Sequence, residues 1–367
     1  MADANTPTLA VGGRIYSGWT AMNVVRSIET ISGGFDLELT ERWDGQAVRW
    51  PIKPGEACKV AIGGDVVIDG FVDDVEISFD ARTHRVRVSG RDRTGYLVDC
   101  SAVHKPDEWS LKLERIAAIL AKPFGIAVKA DVDTGAAFAP LKLQQGESAF
   151  EAIERMCRMR AVLPVSDAKG GLLITRAGSA SAASALVEGK NLLSATATYS
   201  WKDRFSEYLV KGQSPAGDGL SEVSDAQAAA VTSTARDAGV TRYRPLIVLA
   251  EGATDGVSSQ DRAAWEAAVR AGRGTRVTAV VQGWRQAGGA LWPINALAPV
   301  QSELLDIDDR LLIVDVRYIL DGQGSRTEIG LTRPDAFRLL PELPKGKEGT
   351  GLPKGAEIFS SKKEAGK

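Results

Sequence analysis

Two adjacent glycines constrain this chain more than any other feature. Val60-Ala61-Ile62 runs into Gly63-Gly64-Asp65 and on into Val66-Val67-Ile68. A Gly-Gly pair between apolar runs supplies the positive φ values of a two-residue turn, so the flanking segments form a β-hairpin. The same texture surrounds it. Phe35, Leu37 and Leu39 alternate with polar residues, as a half-buried strand requires, and Val86-Arg87-Val88 alternates again. Phe71, Val75, Ile77 and Phe79 belong to a long strand, with Asp69-Gly70 expected as a bulge near its start. Short strands at this spacing predict a small barrel or sandwich. Glycine, at 38 of 367 residues, exceeds its usual ~7% share and fits a turn-rich β protein.

The texture changes after residue 105. Ser110 is expected to cap a helix carrying Leu113, Ile116, Ile119 and Leu120, ended by Pro123 and Gly125. Ser148 and Glu151 form a capping-box signature ahead of Ile153, Met156 and Cys157. Residues 162–165 and 172–174 flank a turn-like stretch at 167–171, and the Ala/Ser run over 178–185 is the expected linker. Strands return over 195–201 and 208–210. Residues 214–240 read as loop or weak helix, and 245–249 as a buried strand. Residues 260–273 read as a helix with Ala264, Trp265, Ala268 and Val269 at helical spacing. Residues 277–284, 311–318 and 326–331 read as strands. From 341 to 367 the chain mixes Pro, Gly, Lys, Glu and Ser with few apolar side chains, and disorder is expected there.

A search for chemistry returns little. Lys plus Arg is 45 against 47 Asp plus Glu, so the net charge of −2 lacks the basic excess of a dedicated nucleic-acid binder. The two histidines, His84 and His104, sit in a turn and a loop, and no metalloprotease, nucleophile-elbow or P-loop motif occurs. Asp73 and Asp74 are strand neighbours, so their carboxylates point to opposite faces. Asp306, Asp308, Asp309 and Arg310 read as a turn feeding the strand at Leu311 rather than as a cation loop. Cys58, Cys100 and Cys157 are widely spaced and odd in number, as expected of reduced thiols rather than a disulfide framework or zinc site. The N-terminus has no basic and apolar leader, and no apolar run approaches the ~18 residues of a membrane span, so a soluble protein made without a secretion signal is expected. Trp284 and Trp292, with Leu291 and Pro293, are the candidate subunit interface or core residues. No catalytic, cofactor or metal residue is nominated.

Several stretches in order resemble a known family. They are Gly33-Gly34-Phe35-Asp36-Leu37, Pro54-Gly55, the run from Gly90 through Arg93-Thr94-Gly95-Tyr96 to Ser101, and Gly146-Glu147-Ser148. In the C-terminal part they are Tyr243-Arg244-Pro245-Leu246, the helix from Trp265, Gln282-Gly283-Trp284-Arg285, and Leu291-Trp292-Pro293-Ile294-Asn295. Together they resemble the baseplate hub proteins of Mu-like contractile phage tails, a group related in architecture to the hub domains of type VI secretion spike proteins. The resemblance spans about residues 8–338. It implies a mainly β fold with α/β insertions, in which two small related β-barrel domains are joined by smaller α/β domains. The expected division is a first barrel over 1–105 and an α/β domain over 106–182. A discontinuous second barrel follows over 183–215 and 276–338, with an α/β insertion over 216–275 and a tail over 339–367.

The implied function is structural. A homotrimeric ring would join a sixfold tail tube to a threefold central spike, in contact with other baseplate proteins. It would act in the virion tail after assembly in the host cytoplasm, with no membrane anchor, no cofactor and no enzymatic activity. DNA passage through the ring is left open. Two alternatives from other classes are a tail-associated cell-wall hydrolase using Asp92, Asp99 or Glu147, and a carbohydrate-binding β module using Trp284 and Trp292.

Overall fold

The computed structural model describes residues 4–40, 52–81, 84–178, 180–212, 231–249 and 259–339. The first part is built from strands: β1 (Pro7–Val11), β2 (Arg14–Tyr16), β3 (Ala21–Ser27), β4 (Gly34–Thr40), β5 (Ala57–Ile62), β6 (Asp65–Phe79) and β7 (His84–Asp92). The glycine turn joins β5 to β6 with Ile62 opposite Asp65 and φ of +57° and +100° at Gly63 and Gly64. A Cβ on Gly63 would lie 1.9 Å from the Ala4 carbonyl oxygen, so that position needs glycine for space as well as for φ. Phe35, Leu37 and Leu39 are buried with Val86 and Val88, as the alternation predicts. The bulge expected at Asp69-Gly70 is displaced to either side. The register slips at Val67 against β5 and at Asp73 against β7. Gly70 serves another need, because a Cβ there would meet the Arg91 carbonyl oxygen at 1.9 Å.

The next unit contains α1 (Gly95–Asp99), β8 (Glu108–Trp109), α2 (Leu113–Ala121), β9 (Val128–Ala130), β10 (Leu141–Lys142), α3 (Ala149–Met159), β11 (Leu163–Ser166) and β12 (Leu172–Thr175). Leu97 of α1 packs with Leu113, Ile116, Ile153 and Met156, so the first β unit closes at Asp92 and residues 95–105 belong to the helical core, not to a barrel over 1–105. Lys112, not Ser110, precedes α2, and no side chain caps that helix. The apolar stripe alone holds it. The capping box of α3 is complete: Glu151 N–H donates to Ser148 Oγ at 3.1 Å and Ser148 N–H donates to the Glu151 carboxylate at 2.7 Å. Ser148→Ala is expected to cost about 1 kcal/mol, read as a shift in urea midpoint with unchanged slope.

The remaining strands are β13 (Ala180–Ser181), β14 (Leu186–Val187), β15 (Leu192–Tyr199), β16 (Glu207–Gly212), β17 (Val231–Arg236), β18 (Pro245–Leu249), β19 (Thr275–Gln282), β20 (Ala296–Ser302), β21 (Ile307–Asp321) and β22 (Gly324–Thr332), with helix α4 (Ser259–Arg273) between β18 and β19. The 178–185 run is no slack linker. Ala182 N–H bonds Leu297 O, and Ala183 and Ser184 N–H both reach the Gln286 side chain. β16, expected in the second barrel, pairs instead with β17 and β18 in a separate three-stranded sheet packed against α4. Residues 231–236, read as loop or weak helix, thus form a strand. β18 is that sheet's edge, and Ile247 is 55% exposed where a buried strand was expected. The buried stripe of α4 is Ala263, Glu266 and Val269; of the expected face Val269 is buried, while Trp265 and Ala268 are half-buried and Ala264 is exposed. Glu266 can lie there because Arg262 (3.1 Å) and Arg270 (3.0 Å), one turn away on each side, both donate to its carboxylate. The expected tail from residue 340 onward and residues 213–230 lie outside the described residues.

One sheet of fourteen strands organises the molecule, running β15-β19-β22-β21-β3-β4-β7-β6-β5-β1-β2 with β20, β13 and β14 attached beside β21. No closed barrel forms among the described residues. β21 explains why. Up to Ile313 its edge pairs with β20; a bulge at Val314 ends that pairing, and from Asp315 to Leu320 the same edge pairs with β3. Ile28 N–H (2.8 Å) and Ser27 Oγ (3.2 Å) donate to the Val314 carbonyl and pin the crossing. Both β portions therefore share one apolar core.

The strand path repeats across this junction. On one side it runs β3-β4-β7-β6-β5, on the other β15-β19-β22-β21-β20, antiparallel throughout, and each is followed by one more strand, β1 antiparallel to β5 and β14 parallel to β20. Each path contains a fifteen-residue strand, β6 or β21, bulged near its middle at Asp73 or Val314.

Candidate functional site

The segment carrying the nominated residues links β19 to β20 and lies at the seam between the two β portions. Gly283, at φ +70°, turns the chain inward after β19. Trp284 is buried, its Nε1–H donates to Ile319 O at 2.9 Å, and its carbonyl accepts from Trp292 N–H at 3.2 Å. Trp292 is buried as well, with the Tyr318 hydroxyl donating to its carbonyl at 2.5 Å. Leu291 and Pro293 are half-buried. Both indoles thus fill the shared core. Their burial removes the stacking surface that a carbohydrate module using these two rings would need.

Arg285, between them, faces the other way and ties the portions together. Its guanidinium donates to Ala4 O (2.8 Å), Ile62 O (2.9 Å) and Asp65 (2.7 Å), at the Gly63-Gly64 turn of the first portion. Asn295 anchors the far end of the segment, accepting from Gly178 N–H and donating to Arg176 O. The sequence reading missed both anchors, since a single Arg or Asn carries no periodic signal.

The carboxylates considered for hydrolysis are each engaged by structure. Asp92 is buried at the end of β7 and accepts from Gly33 N–H (2.8 Å), Thr94 N–H (3.1 Å) and Ser166 Oγ (2.7 Å), with the Thr94 hydroxyl also bound to it. Burial raises its pKa, and these donors oppose the shift. Asp99 pairs with Arg91 at 2.8 Å, and Arg91 also holds Asp73. Glu147 pairs with Arg155 at 2.9 Å and accepts from Gln144 N–H. His84 stacks on Phe79, and His104 contacts Pro106 O and faces Trp109.

Asp306 closes the turn between β20 and β21 in the left-handed region, at φ +53°, and β21 begins at Ile307. With Glu188, Glu303 and Asp308 it lines an open cleft of about 550 Å³. The Glu188 carboxylate there is held by Ser302 Oγ and Leu304 N–H. Among the described residues no three His, Cys, Asp or Glu side chains converge as a metal site. Burial pushes the Cys58 thiol up to about 12, beside a carboxylate pair, and also raises that of Cys157, so both are poor nucleophiles. Asp92, Arg285 and Asn295 each join separate parts of the fold.

Comparison with known proteins gives this architecture a family. Residues 7–92 match the N-terminal model of the Mu phage baseplate assembly protein GpP-like family. Residues 94–176 match the second domain of the baseplate hub protein gp44-like family, and 255–340 the fourth domain of GpP. The chain is 36% identical over 347 residues to the baseplate hub protein gp44 of Escherichia phage Mu, covering 92% of this chain and 90% of the relative. This chain belongs to the Mu-type baseplate hub family. The structure of a 43 kDa tail protein from prophage MuSo2 of Shewanella oneidensis superposes on this hub with a TM-score of 0.81 at 37% identity, covering 91% of this chain and all of that one. A type VI secretion component of Escherichia coli shares the fold alone, with a TM-score of 0.52 at 10% identity over 94% of this chain and 80% of that one. The mainly β fold with helical units is thus that of phage tail proteins. The first β portion falls in the first matched segment and β19–β22 of the second portion in the last, and Asp92 and Thr94 mark the boundary between the first two.

Proposed function

We propose that this hub is a non-catalytic structural protein that assembles as a homotrimeric ring in the tail baseplate, joining a sixfold tail tube to a threefold central spike. The observation that carries this reading is the strand path repeated twice within one chain. Three copies of a chain with two alike portions present six similar units to one neighbour while keeping strict threefold symmetry for another. Cyclic assembly also covers sheet edges without open-ended growth. Family membership supports the placement in the tail, alongside other baseplate proteins. The engagement of Asp92, Asp99 and Glu147 in structural bonds supports a role without hydrolysis. Inert, buried thiols at Cys58 and Cys157 suit assembly in a reducing host cytoplasm.

Light scattering coupled to size exclusion tests the ring, and co-purification with the tube and spike proteins tests the junction. A mass of three chains and capture of both partners are expected. A chain that stays monomeric and captures neither would overturn the reading. The purified ring is also expected to leave peptidoglycan intact.

A further inference from the structure

The repeated path makes the two β portions comparable residue by residue. Val72 pairs with Gly90 and, after the bulge, Asp74 with Ser89; Ile313 pairs with Leu331 and, after its bulge, Asp315 with Gly330. Asp74–Phe79 of β6 therefore corresponds to Asp315–Leu320 of β21. By the same pairings, β4 corresponds to β19 and β3 to β15, with Val24 matching Ala197 and Val25 matching Thr198.

In the second portion, Asp315–Leu320 is paired with β3 of the first, along the edge that β20 leaves at the bulge. In the first portion, β5 likewise leaves the β6 edge before the bulge, and on that edge 74–79, paired with β7 on the other side, has no partner strand among the described residues. β15, the counterpart of β3, is the terminal strand of the sheet and is equally unpaired on its outer edge. The side chains mark the same two edges. Val316 and Tyr318, in the paired strand, are buried to within 1% of full burial. Their counterparts are Val75, half-buried, and Ile77, which is 55% exposed, and Phe79 next along the same face is 79% exposed. On β15, Tyr199 is 57% exposed.

We propose that β6 of one copy pairs antiparallel with β15 of a second copy, in the register of the intrachain junction between β21 and β3. That register places Val75 opposite Tyr199, Ile77 opposite Ala197 and Phe79 opposite Ala195 on the apolar face. Glu76 then faces Thr198, and Ser78 faces Thr196, on the polar face. No like charges oppose one another, and the pairing covers the two edges just described, those of β6 beyond its bulge and of β15. The contact is head-to-tail, so each copy donates β6 to one neighbour and β15 to the other. A ring closes with the two portions alternating around it, each meeting the next through the same kind of strand pair. The inference rests on the homo-oligomeric reading above and names its contact.

Disulfide trapping tests it. Ile77→Cys and Ala197→Cys are introduced together into the full-length chain in a Cys100→Ser background. Mild oxidation is expected to yield a covalently closed oligomer of the size seen by light scattering. Mixing the two single variants is expected to give covalent dimers. Ile77→Cys with Thr196→Cys places the thiols on opposite faces and is expected to stay uncrosslinked. Equal melting temperatures to the parent chain establish that each variant is folded. An oligomer of parental mass in which the Ile77/Ala197 pair does not crosslink, or crosslinks no better than the Ile77/Thr196 pair, overturns this contact and leaves the ring reading standing. A chain that is monomeric across a concentration series into the high micromolar range overturns both.

Discussion

Trp284→Ala is expected to destabilise the hub by about 3–5 kcal/mol, the range for removing a large aromatic from a packed core. The side chain is among the largest fully enclosed ones in the protein, and it lies where both β portions contribute to one core. Alanine would leave a cavity whose walls cannot collapse freely, because they belong to strands fixed in register on both sides. It would also remove the donor to Ile319 O. Trp284→Phe keeps most of the volume and loses only that bond, so it should cost about 1 kcal/mol plus any residual packing loss. Urea unfolding of both variants checks the ranking. Near-equal midpoints would show that the indole ring is not bearing the packing load assigned to it.

Local rules carried much of the fold. The Gly63-Gly64 turn, the alternation of Phe35, Leu37 and Leu39, and the Ser148/Glu151 box are decided by residues within one or two turns of each other. Their readings match the structure because no distant contact competes with them. Ser110 shows the opposite case. A residue type that suits a helix start was present, but the chain enters α2 two residues later, and Leu113, Ile116 and Leu120 fix the start by packing. In α4 the apolar periodicity was weak, and the salt-bridged Glu266 turned inward, a choice invisible until Arg262 and Arg270 are seen on either side of it.

Long-range organisation was less legible. The division at residue 105 followed the change of texture, whereas the cores divide at Asp92, since Leu97 faces α2 and α3. β16 was read as a strand from Tyr208-Leu209-Val210 and placed in the second barrel with the division that the resemblance implies; a short apolar run cannot say which sheet a strand joins. A signal for the internal repeat did exist in the sequence: Trp50-Pro51-Ile52 ahead of β5 and Trp292-Pro293-Ile294 ahead of β20. In the sequence the tripeptide stands a few residues before each of these two strands. The two indoles of the second copy were nominated for either core or interface, and pattern alone could not choose, because a tryptophan in a turn-bounded apolar stretch suits both. Asp92 was weighed as an acid for catalysis, and only its neighbours show that it joins units instead.

Asp92→Ala should be nearly as damaging as the loss of Trp284, for a different reason. Its carboxylate is the common acceptor for Gly33 N–H before β4, Thr94 N–H after β7 and Ser166 Oγ on β11, so it joins the first β portion to the α/β unit. Arg26 Nη2 holds the Ser166 carbonyl from the other side at 3.1 Å. Alanine leaves several buried donors without an acceptor, and at about 1–3 kcal/mol for each buried group left unsatisfied the loss should reach about 3 kcal/mol or more. Asp92→Asn keeps the shape and separates charge from hydrogen bonding. Burial raises the pKa of Asp92 above its ordinary carboxylate value. In the window between the unfolded and folded values the native state therefore binds more protons than the unfolded chain, and stability contributed by this group rises as pH falls through that window. The advantage of the parent chain over Asp92→Asn should accordingly grow between pH 7 and pH 4, against the general loss that other carboxylates impose in acid. Paired urea titrations at the two pH values measure it. An advantage that shrinks toward pH 4 would mean that the donors around Asp92 outweigh its burial, and that the junction is held by a carboxylate whose charge is favoured rather than resisted by its surroundings.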